Sequence, residues 1–200
     1  DDYWTDPLKL QKQVDFLEAN KDYSMCFHAA KIVHQGVDKS KTGACCEVIG
    51  DREYTSTEVF VRWLVPTASI LYRRGTVDQF KMKHPEWLTR GDIALVLKCT
   101  HTGKIWGMSD VMSVYRMQPN SVSHNPEYRG QEVFVLPNHF RCILMNFPMV
   151  AKPPIKWNIS HSYYSRMKKV HGLCKIRDFV LAFYWNPGLI WQKTKKIFHI

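Results

Sequence analysis

Three places in the chain carry residue types that phosphate and proton-transfer chemistry requires. Asp1 and Asp2 form a carboxylate pair at a predicted strand end, directly before a helix start. Hard carboxylate oxygens bind Mg²⁺ or Mn²⁺, and such an ion can carry substrate phosphates. Asp92 stands at a second helix start, and Arg116 has a guanidinium whose shape matches phosphate. Structural roles stay open for all of them: solvated loop acids, a helix cap and a surface ion pair.

The elements that must position these residues follow an alternating α/β pattern. Asp6 and Pro7 are typical of a helix start, and Leu10, Val14 and Leu17 recur at helical spacing after them. We therefore predict a helix over about residues 7–20. We further predict a strand over 24–34, a helix from Thr57 to about Leu64, a strand over 67–72, helices over 77–87 and 92–101, strands over 104–106 and 111–115, and a helix over 131–150.

Several segments together resemble a known enzyme family. Residues 1–20 (DDYWTDPLKLQKQVDFLEAN) resemble the middle of an inverting glycosyltransferase of family 2, whose domain has the GT-A fold. Residues 66–74 (PTASILYRR) are similar to the acceptor-side strand of that family. Residues 89–95 (TRGDIAL), 102–105 (TGKI) and 110–116 (DVMSVYR) are similar to its catalytic-base region and the strand that follows. The resemblance covers roughly residues 1–124 and fades from about Ser123 onward.

On the donor side, the resemblance implies a metal-assisted phosphate site. Asp2 would bind Mn²⁺ or Mg²⁺, and Asp1 would lie near the metal or the donor ribose. Arg116 would clamp the diphosphate of a nucleotide-sugar donor, for which a UDP-linked sugar is our first expectation. Gln118 stands where many members of the family carry a histidine, so the resemblance implies no further ligand from that position.

On the acceptor side, the resemblance assigns Asp92 as the general base that takes the proton of the acceptor hydroxyl. Its separation from Asp2, from position 2 to position 92, agrees with the family pattern. Trp4, Thr67, Ser69 and Gly91 would contact substrate. For Thr67 and Ser69 the alternative is a buried strand whose hydroxyls bond to the backbone.

The resemblance also implies a partial α/β fold. We expect residues 1–124 to form the acceptor-side half of a GT-A domain, a mixed sheet with flanking helices, without the nucleotide-binding half that precedes it in the family. Residues 125–200 would form a basic, aromatic and helical extension. The implied function is metal-dependent, inverting transfer of a sugar to a saccharide or lipid-linked acceptor, in the synthesis of cell-surface polysaccharide or glycolipid. Such a fragment would bind nucleotide weakly and turn over poorly by itself.

Composition adds a second hypothesis. The formal charge is +10 and aromatic residues make up 13% of the chain, which favours anionic partners. The alternative function is therefore a non-catalytic binding module for nucleic acid or an anionic membrane surface, whereas the glycosyltransferase hypothesis expects no nucleic acid. Basic and aromatic residues mix over 155–200, which is typical of an interfacial amphipathic segment and equally of a solvated face over core residues. Six cysteines without C-x-x-C spacing favour a cytoplasmic protein with reduced thiols, in possible contact with the inner face of the membrane.

Overall fold

A computed structural model describes residues 2–36, 49–78, 80–119 and 125–198. The chain divides into two compact units, Asp1–Lys81 with Gly91–Asn125 and Met82–Arg90 with Pro126–Ile200. The boundary predicted at 124/125 lies beside the 125/126 junction. However, the short segment 82–90, which the sequence analysis placed in the first region, belongs to the second unit.

The first unit is a mixed α/β structure, which confirms the α/β class. Its elements are β1 (Tyr3–Trp4), α1 (Lys9–Ala19), β2 (Tyr23–His34), β3 (Arg52–Tyr54), α2 (Ser56–Arg62), a 3-10 helix (Thr67–Ser69), β4 (Leu71–Tyr72), α3 (Arg74–Asp78), α4 (Gly91–Thr102) and β5 (Lys104–Met117). The predicted helices 7–20, 57–64 and 92–101 correspond to α1, α2 and α4, and the predicted strand 24–34 corresponds to β2.

The sheet of the first unit is built around two long parallel strands, β2 and β5. Their register runs from Tyr23 beside Lys104 to His34 beside Met117, with irregularities near His28 and Ala29. Strand order is β1-β5-β2-β4, and β3 pairs with the first half of β5. β1, β3 and β4 are all antiparallel to their partners. The short strand β1 therefore lies against the second half of β5.

Helix α1 buries a different face from the predicted one. The sequence analysis placed Leu10, Val14 and Leu17 on the apolar side, but Leu10 and Val14 are exposed. The buried residues are instead Lys9, Gln13 and Leu17, which also share one face of a helix. Leu17 packs with Cys26, Met108 and Met112 on the sheet. The polar residues Lys9 and Gln13 thus occupy interior positions.

Three other local predictions were wrong. Residues 67–72 do not form one strand, because Thr67–Ser69 is a 3-10 helix and only Leu71–Tyr72 pairs with β2. A continuous helix over 77–87 is also absent from the described part of this segment, where α3 ends at Asp78 and a 3-10 helix covers Pro85–Trp87. The two short strands predicted over 104–115 are one strand, β5. For residues 104–115, continuous pairing with β2 decided the outcome.

The second unit is helical in its described residues. It contains the 3-10 helix Pro85–Trp87 and the helices α5 (Pro126–Asn146), α6 (Lys152–Met167), α7 (Gly172–Trp185) and α8 (Pro187–Phe198). Ile143, Phe147, Ile155 and Ile159 are fully buried in its core. Within the described residues, no helix combines the length and apolarity that crossing a membrane requires.

One buried ion pair joins α6 to α7. The Arg166 guanidinium donates to both carboxylate oxygens of Asp178, at 2.7 Å each, and the Asp178 side chain is fully buried. Burial raises the pKa of Asp178, but hydrogen bonds and positive charge from Arg166 and Arg177 outweigh it and hold this pKa below its ordinary value. Nearby, the Ser160 hydroxyl donates to the carbonyl of Ala182 at 2.7 Å.

Candidate active site

Strand β1 brings two predicted site residues together at the far end of β5. Tyr3 and Trp4 pair with Val114 and Ser113, so the chain preceding Tyr3 continues alongside the end of β5. There, the exposed Asp2 carboxylate accepts a hydrogen bond from the backbone N–H of Arg116, at 3.0 Å. The sheet therefore joins a predicted metal ligand to a predicted phosphate-binding residue 114 positions away in the chain.

The Arg116 side chain is held on the same side as β1. Its guanidinium carbon lies 5.9 Å from the centroid of the Tyr3 ring, within the range of a cation–π contact. Tyr3 is itself half exposed. Gln118, two residues later, donates to the side chain of Gln35 at 3.2 Å. Asp1, the other predicted donor-site residue, lies outside the described residues, so its role stays a prediction.

The residue after Tyr3 connects this edge to the predicted acceptor segment. The Trp4 indole N–H donates to the carbonyl of Ala68 at 3.0 Å, between Thr67 and Ser69. On one face of the Trp4 ring the Lys9 ammonium lies 4.3 Å from the centroid. The side chain is nevertheless 54% exposed. Trp4 is therefore a fixed, partly open aromatic surface, and the structure groups it with Thr67 and Ser69.

The two hydroxyl residues of the acceptor segment have different environments. Thr67 is exposed, whereas Ser69 is fully buried and its hydroxyl donates to the Pro66 carbonyl at 2.7 Å. The Ser69 carbonyl in turn accepts from the side-chain amide of Gln13 at 2.8 Å. In a strand the two residues would have shared one face, but the 3-10 turn places only Thr67 at the surface. For Ser69, the structure therefore shows the alternative given in the sequence analysis, a buried hydroxyl that bonds to the backbone.

Sequence analysis missed the buried polar pair beneath this segment. Lys9 is 1% exposed, and its ammonium donates to the side-chain oxygen of Gln13 at 2.7 Å. Burial lowers the pKa of Lys9. A signal was present, since Lys9, Gln13 and Leu17 recur every fourth residue. The pair holds Trp4 from one side and the turn at Ser69 from the other, so it supports both walls of the candidate site.

The predicted base lies at the start of α4. Asp92 is in the first helical turn, is half-buried, and accepts from the backbone N–H of Ile93 at 2.8 Å. At the adjacent Gly91, an added Cβ would meet no atom within 4 Å, so open space adjoins this residue. A single residue, Gly103, separates α4 from β5. The chain reverses there, so α4 runs back along the sheet from the start of β5, but its twelve residues span about 18 Å, against about 40 Å of strand from Lys104 to Arg116. The bond between Asp2 and the Arg116 backbone therefore does not extend to Asp92.

A second set of charges ties α1 to β5 near the site. The Lys12 ammonium lies 2.9 Å from a carboxylate oxygen of Asp6 and 3.4 Å from one of Asp110. The hydrogen bond from Lys12, followed by one from the Leu8 backbone, lowers the pKa of Asp6. In the interior behind them, burial lowers the pKa of His28 to about 4. His28 and Ser113 each bury a side-chain polar atom, Nε2 and Oγ, for which the described residues supply no hydrogen-bond partner.

The described acidic residues could bind a divalent cation only if a substrate supplies further ligands. In the described residues no group of three or more histidine, cysteine or acidic side chains could hold an ion. Asp2 is an exposed carboxylate bonded to the backbone of Arg116, and Mg²⁺ is commonly held by one or two carboxylates with substrate phosphates completing its coordination. The residues present are therefore compatible with an ion that arrives with a diphosphate.

Comparison with known proteins gives relatives but no family. No protein-family model matches the chain. Uncharacterized proteins of Mycobacterium tuberculosis and Mycobacterium bovis are 29% identical to it over 126 residues, which is 62% of this chain and 35% of each relative. The chain thus spans about a third of the length of the curated relatives it matches.

Proposed function

We propose that the chain carries the acceptor-side part of a metal-dependent, inverting glycosyltransferase of family 2 with a GT-A fold. The reaction transfers a sugar from a nucleotide-diphosphate donor, UDP-linked in the first instance, to a saccharide or lipid-linked acceptor. Its place is the cytoplasmic synthesis of cell-surface polysaccharide or glycolipid. The observation that carries the proposal is the hydrogen bond between the Asp2 carboxylate and the Arg116 backbone, at 3.0 Å.

At the donor end, Asp2 and Arg116 have complementary roles. The Asp2 oxygen that accepts from the Arg116 backbone is oriented by that bond, so the carboxylate is held at the sheet edge. A divalent cation, when bound, neutralises charge that develops on the leaving diphosphate. The guanidinium of Arg116, over the ring of Tyr3, adds donors for the same phosphates. Asp1 is the second candidate carboxylate.

At the acceptor end, Asp92 takes the proton of the attacking hydroxyl. This carboxylate lies in the first turn of α4, is half-buried, and accepts from the backbone N–H of Ile93. Trp4 supplies an aromatic face for a sugar ring, and Thr67 supplies an exposed hydroxyl beside it. Open space at Gly91 leaves room for the acceptor. Ser69 supports this wall through its bond to the Pro66 carbonyl.

The test is calorimetric titration of the chain with UDP, with and without Mn²⁺. We expect weak binding that requires the metal, and a loss of about tenfold or more in Asp2→Asn, since one charged contact to the metal–phosphate complex is removed. Asp15→Asn is the matched control, because Asp15 is an exposed aspartate of α1 whose carboxylate accepts from Gln11. Asp92→Asn, which removes only the base, leaves UDP binding unchanged.

Two results would contradict this function. Equal UDP binding by the unsubstituted chain and Asp2→Asn would remove Asp2 from the phosphate site. Salt-sensitive binding of single-stranded RNA that neither Asp2→Asn nor Asp92→Asn affects would instead favour the nucleic-acid module.

A further inference from the structure

Helix α7 has an inner face that is unusually small. Of its fourteen residues only Asp178 and Ala182 are buried, and they are four positions apart on one side of the helix. Asp178 is held by Arg166, and the Ala182 carbonyl accepts from Ser160 of α6. A narrow polar contact therefore docks α7 on its own unit, and most of its apolar surface does not take part.

The opposite face of α7 is apolar and exposed. We define the α7 stripe as Leu173, Ile176, Val180, Phe183 and Tyr184, whose exposed fractions run from 52% at Phe183 to 83% at Leu173. At about 100° per residue these five positions fall within an arc of roughly 100°. The spacing is thus that of an amphipathic helix whose apolar side is turned away from the core of its unit.

Charge is concentrated in the unit that carries the stripe. Residues 126–200 contain twelve basic and three acidic side chains, a net charge of +9, whereas residues 1–125 contain sixteen and fifteen, a net charge of +1. On α7 itself the only acidic side chain, Asp178, is buried and paired, while Lys175 and Arg177 are exposed. At the same 100° per residue, however, Lys175 falls on the side of Asp178 and Ala182, and Arg177 also bonds Asp178. The positive charge that accompanies the stripe is therefore that of the unit as a whole, and α7 carries no exposed carboxylate.

An exposed apolar stripe on a positively charged unit favours one kind of partner surface over another. A second copy of the chain would bring a net charge of +9 against another +9, and like charges at short range oppose association. An anionic lipid surface supplies the opposite charge and an apolar interior into which aliphatic and aromatic side chains insert. Phe183 and Tyr184 are residue types suited to the headgroup boundary.

We propose that α7 is an interfacial membrane-binding helix. It lies in the plane of an anionic bilayer surface, with the α7 stripe inserted at the boundary between headgroups and acyl chains and with the net positive charge of residues 126–200 drawn to the headgroup phosphates. The proposal concerns the helical unit and does not depend on the activity proposed for the sheet unit. It predicts binding that needs both anionic lipid and the stripe.

The experiment is co-sedimentation of the chain with vesicles of phosphatidylcholine alone or with about a third phosphatidylglycerol, at low and high salt. We expect binding to the anionic vesicles that falls with salt. Ile176→Ser combined with Val180→Ser weakens it by about tenfold or more, because apolar groups no longer insert.

Val61→Ser is the matched control for Val180→Ser, which is also measured without Ile176→Ser and is expected to weaken binding in the same direction. Val61 lies on α2 in the sheet unit and is 56% exposed, against 57% for Val180, so the same substitution removes the same apolar surface elsewhere. Far-ultraviolet circular dichroism and urea midpoints check that every variant is folded, which is expected for exposed positions. Retained binding in Val61→Ser with loss in the stripe variant supports the proposal.

Other outcomes overturn the proposal. These are equal binding to neutral and anionic vesicles, no vesicle binding at all, and unchanged binding by the stripe variant. Sedimentation velocity is run in parallel without lipid. A dimer that the stripe variant dissociates, without vesicle binding by the unsubstituted chain, would assign the stripe to a second copy.

Discussion

The sheet unit and the helical unit bury charge in opposite ways. In the sheet unit, Lys9 is 1% exposed, and its hydrogen bond goes to the neutral side chain of Gln13 while its ammonium faces the Trp4 ring. In the helical unit, the buried Asp178 is held by both arms of Arg166 and by Arg177. Among the described residues, one unit thus buries a cation without a carboxylate at hydrogen-bond distance, and the other buries an anion with two guanidiniums.

The two buried charges have different roles: Asp178 joins two helices, whereas Lys9 lies beneath the candidate site. A buried ion pair with satisfied hydrogen bonds holds two elements in register, as α6 and α7 are held here. A buried ammonium beside an amide and an indole stabilises less, because its desolvation is not offset by an opposite charge. Lys9 lies under Trp4 and the turn at Ser69, which are walls of the candidate site. The buried ammonium therefore lowers stability at the same place where it positions these walls.

The largest effect that distinguishes the two units is expected at Asp178. Asp178→Ala leaves the mostly buried Arg166 without its partner, which we expect to lower the free energy of unfolding by about 3–5 kcal/mol. Urea denaturation followed by circular dichroism measures this. Asp22→Asn is the control, because Asp22 pairs with Lys104 at an exposed position and its loss costs about 0–1 kcal/mol. Similar losses for both variants would contradict the structural role of the buried pair.

A second test uses one buried histidine in each unit. Burial lowers the pKa of His28 and of His139 from the ordinary 6.5 to about 4. Between these values the unfolded chain binds a proton at each ring that the folded chain does not bind, so stability falls as the pH is lowered from about 6.5 to about 4 and is unaffected by these rings above that window. Each ring contributes about 3 kcal/mol over the window, a little under 1.4 kcal/mol per pH unit.

The measurement is the pH dependence of the urea midpoint and slope for the chain, His28→Leu and His139→Leu. We expect each variant to bind about one proton fewer on unfolding between pH 6.5 and pH 4. Unfolding is followed by circular dichroism near 222 nm, which reports mainly on helices, and by tryptophan fluorescence. Comparing the two signals helps to assign each loss of stability to the helical or the sheet unit. A variant with the same pH dependence as the unsubstituted chain would show that its ring is already accessible to protons when folded.

The smallest expected effect is at Lys9. Lys9→Met replaces the buried ammonium with an apolar group of similar length, so the free energy of unfolding stays unchanged or rises by about 1–2 kcal/mol. Lys21→Met is the control, since Lys21 is exposed and pairs with Glu18 at the surface, and we expect a change within about 0.5 kcal/mol. A large destabilisation by Lys9→Met would mean that the ammonium has a compensating partner, and the contrast with Asp178 would fail.

The predictions from sequence succeeded where local signals and long-range pairing agreed. Helix α2 was predicted from its polar start, although its cap is Thr55 and not the predicted Thr57; Thr55 and Glu58 form a reciprocal capping box in which each side chain accepts from the other's backbone N–H. Helix α4 ends before Gly103, as that glycine indicates. Strand β2 was predicted almost to the residue, because a long apolar run of β-forming residues has no competing helical period.

The failures occurred where two local readings were nearly equal. Residues 67–69 have hydroxyl and small side chains that suit a strand or a turn, and the Ser69 hydroxyl, bonded to Pro66, stabilises the turn. On α1, apolar residues and the Lys9–Gln13 pair both recur at helical spacing. Only the sheet beneath decides which stripe faces inward, and Gln13 meets the Ser69 carbonyl there. Neither the turn at residues 67–69 nor the buried face of α1 can therefore be predicted from neighbouring residues alone.

Local sequence was enough to predict the α/β class, helices α1, α2 and α4 and the residue types available for phosphate and proton chemistry, because propensity, capping and periodicity act over a few neighbouring residues. Tertiary structure alone decided that Asp2 meets Arg116, that Trp4 rests between Lys9 and Ala68, and that the α7 stripe is exposed. The physical reason is distance along the chain. Strand pairing brings together groups more than a hundred positions apart, and burial of a helix face depends on what packs against it.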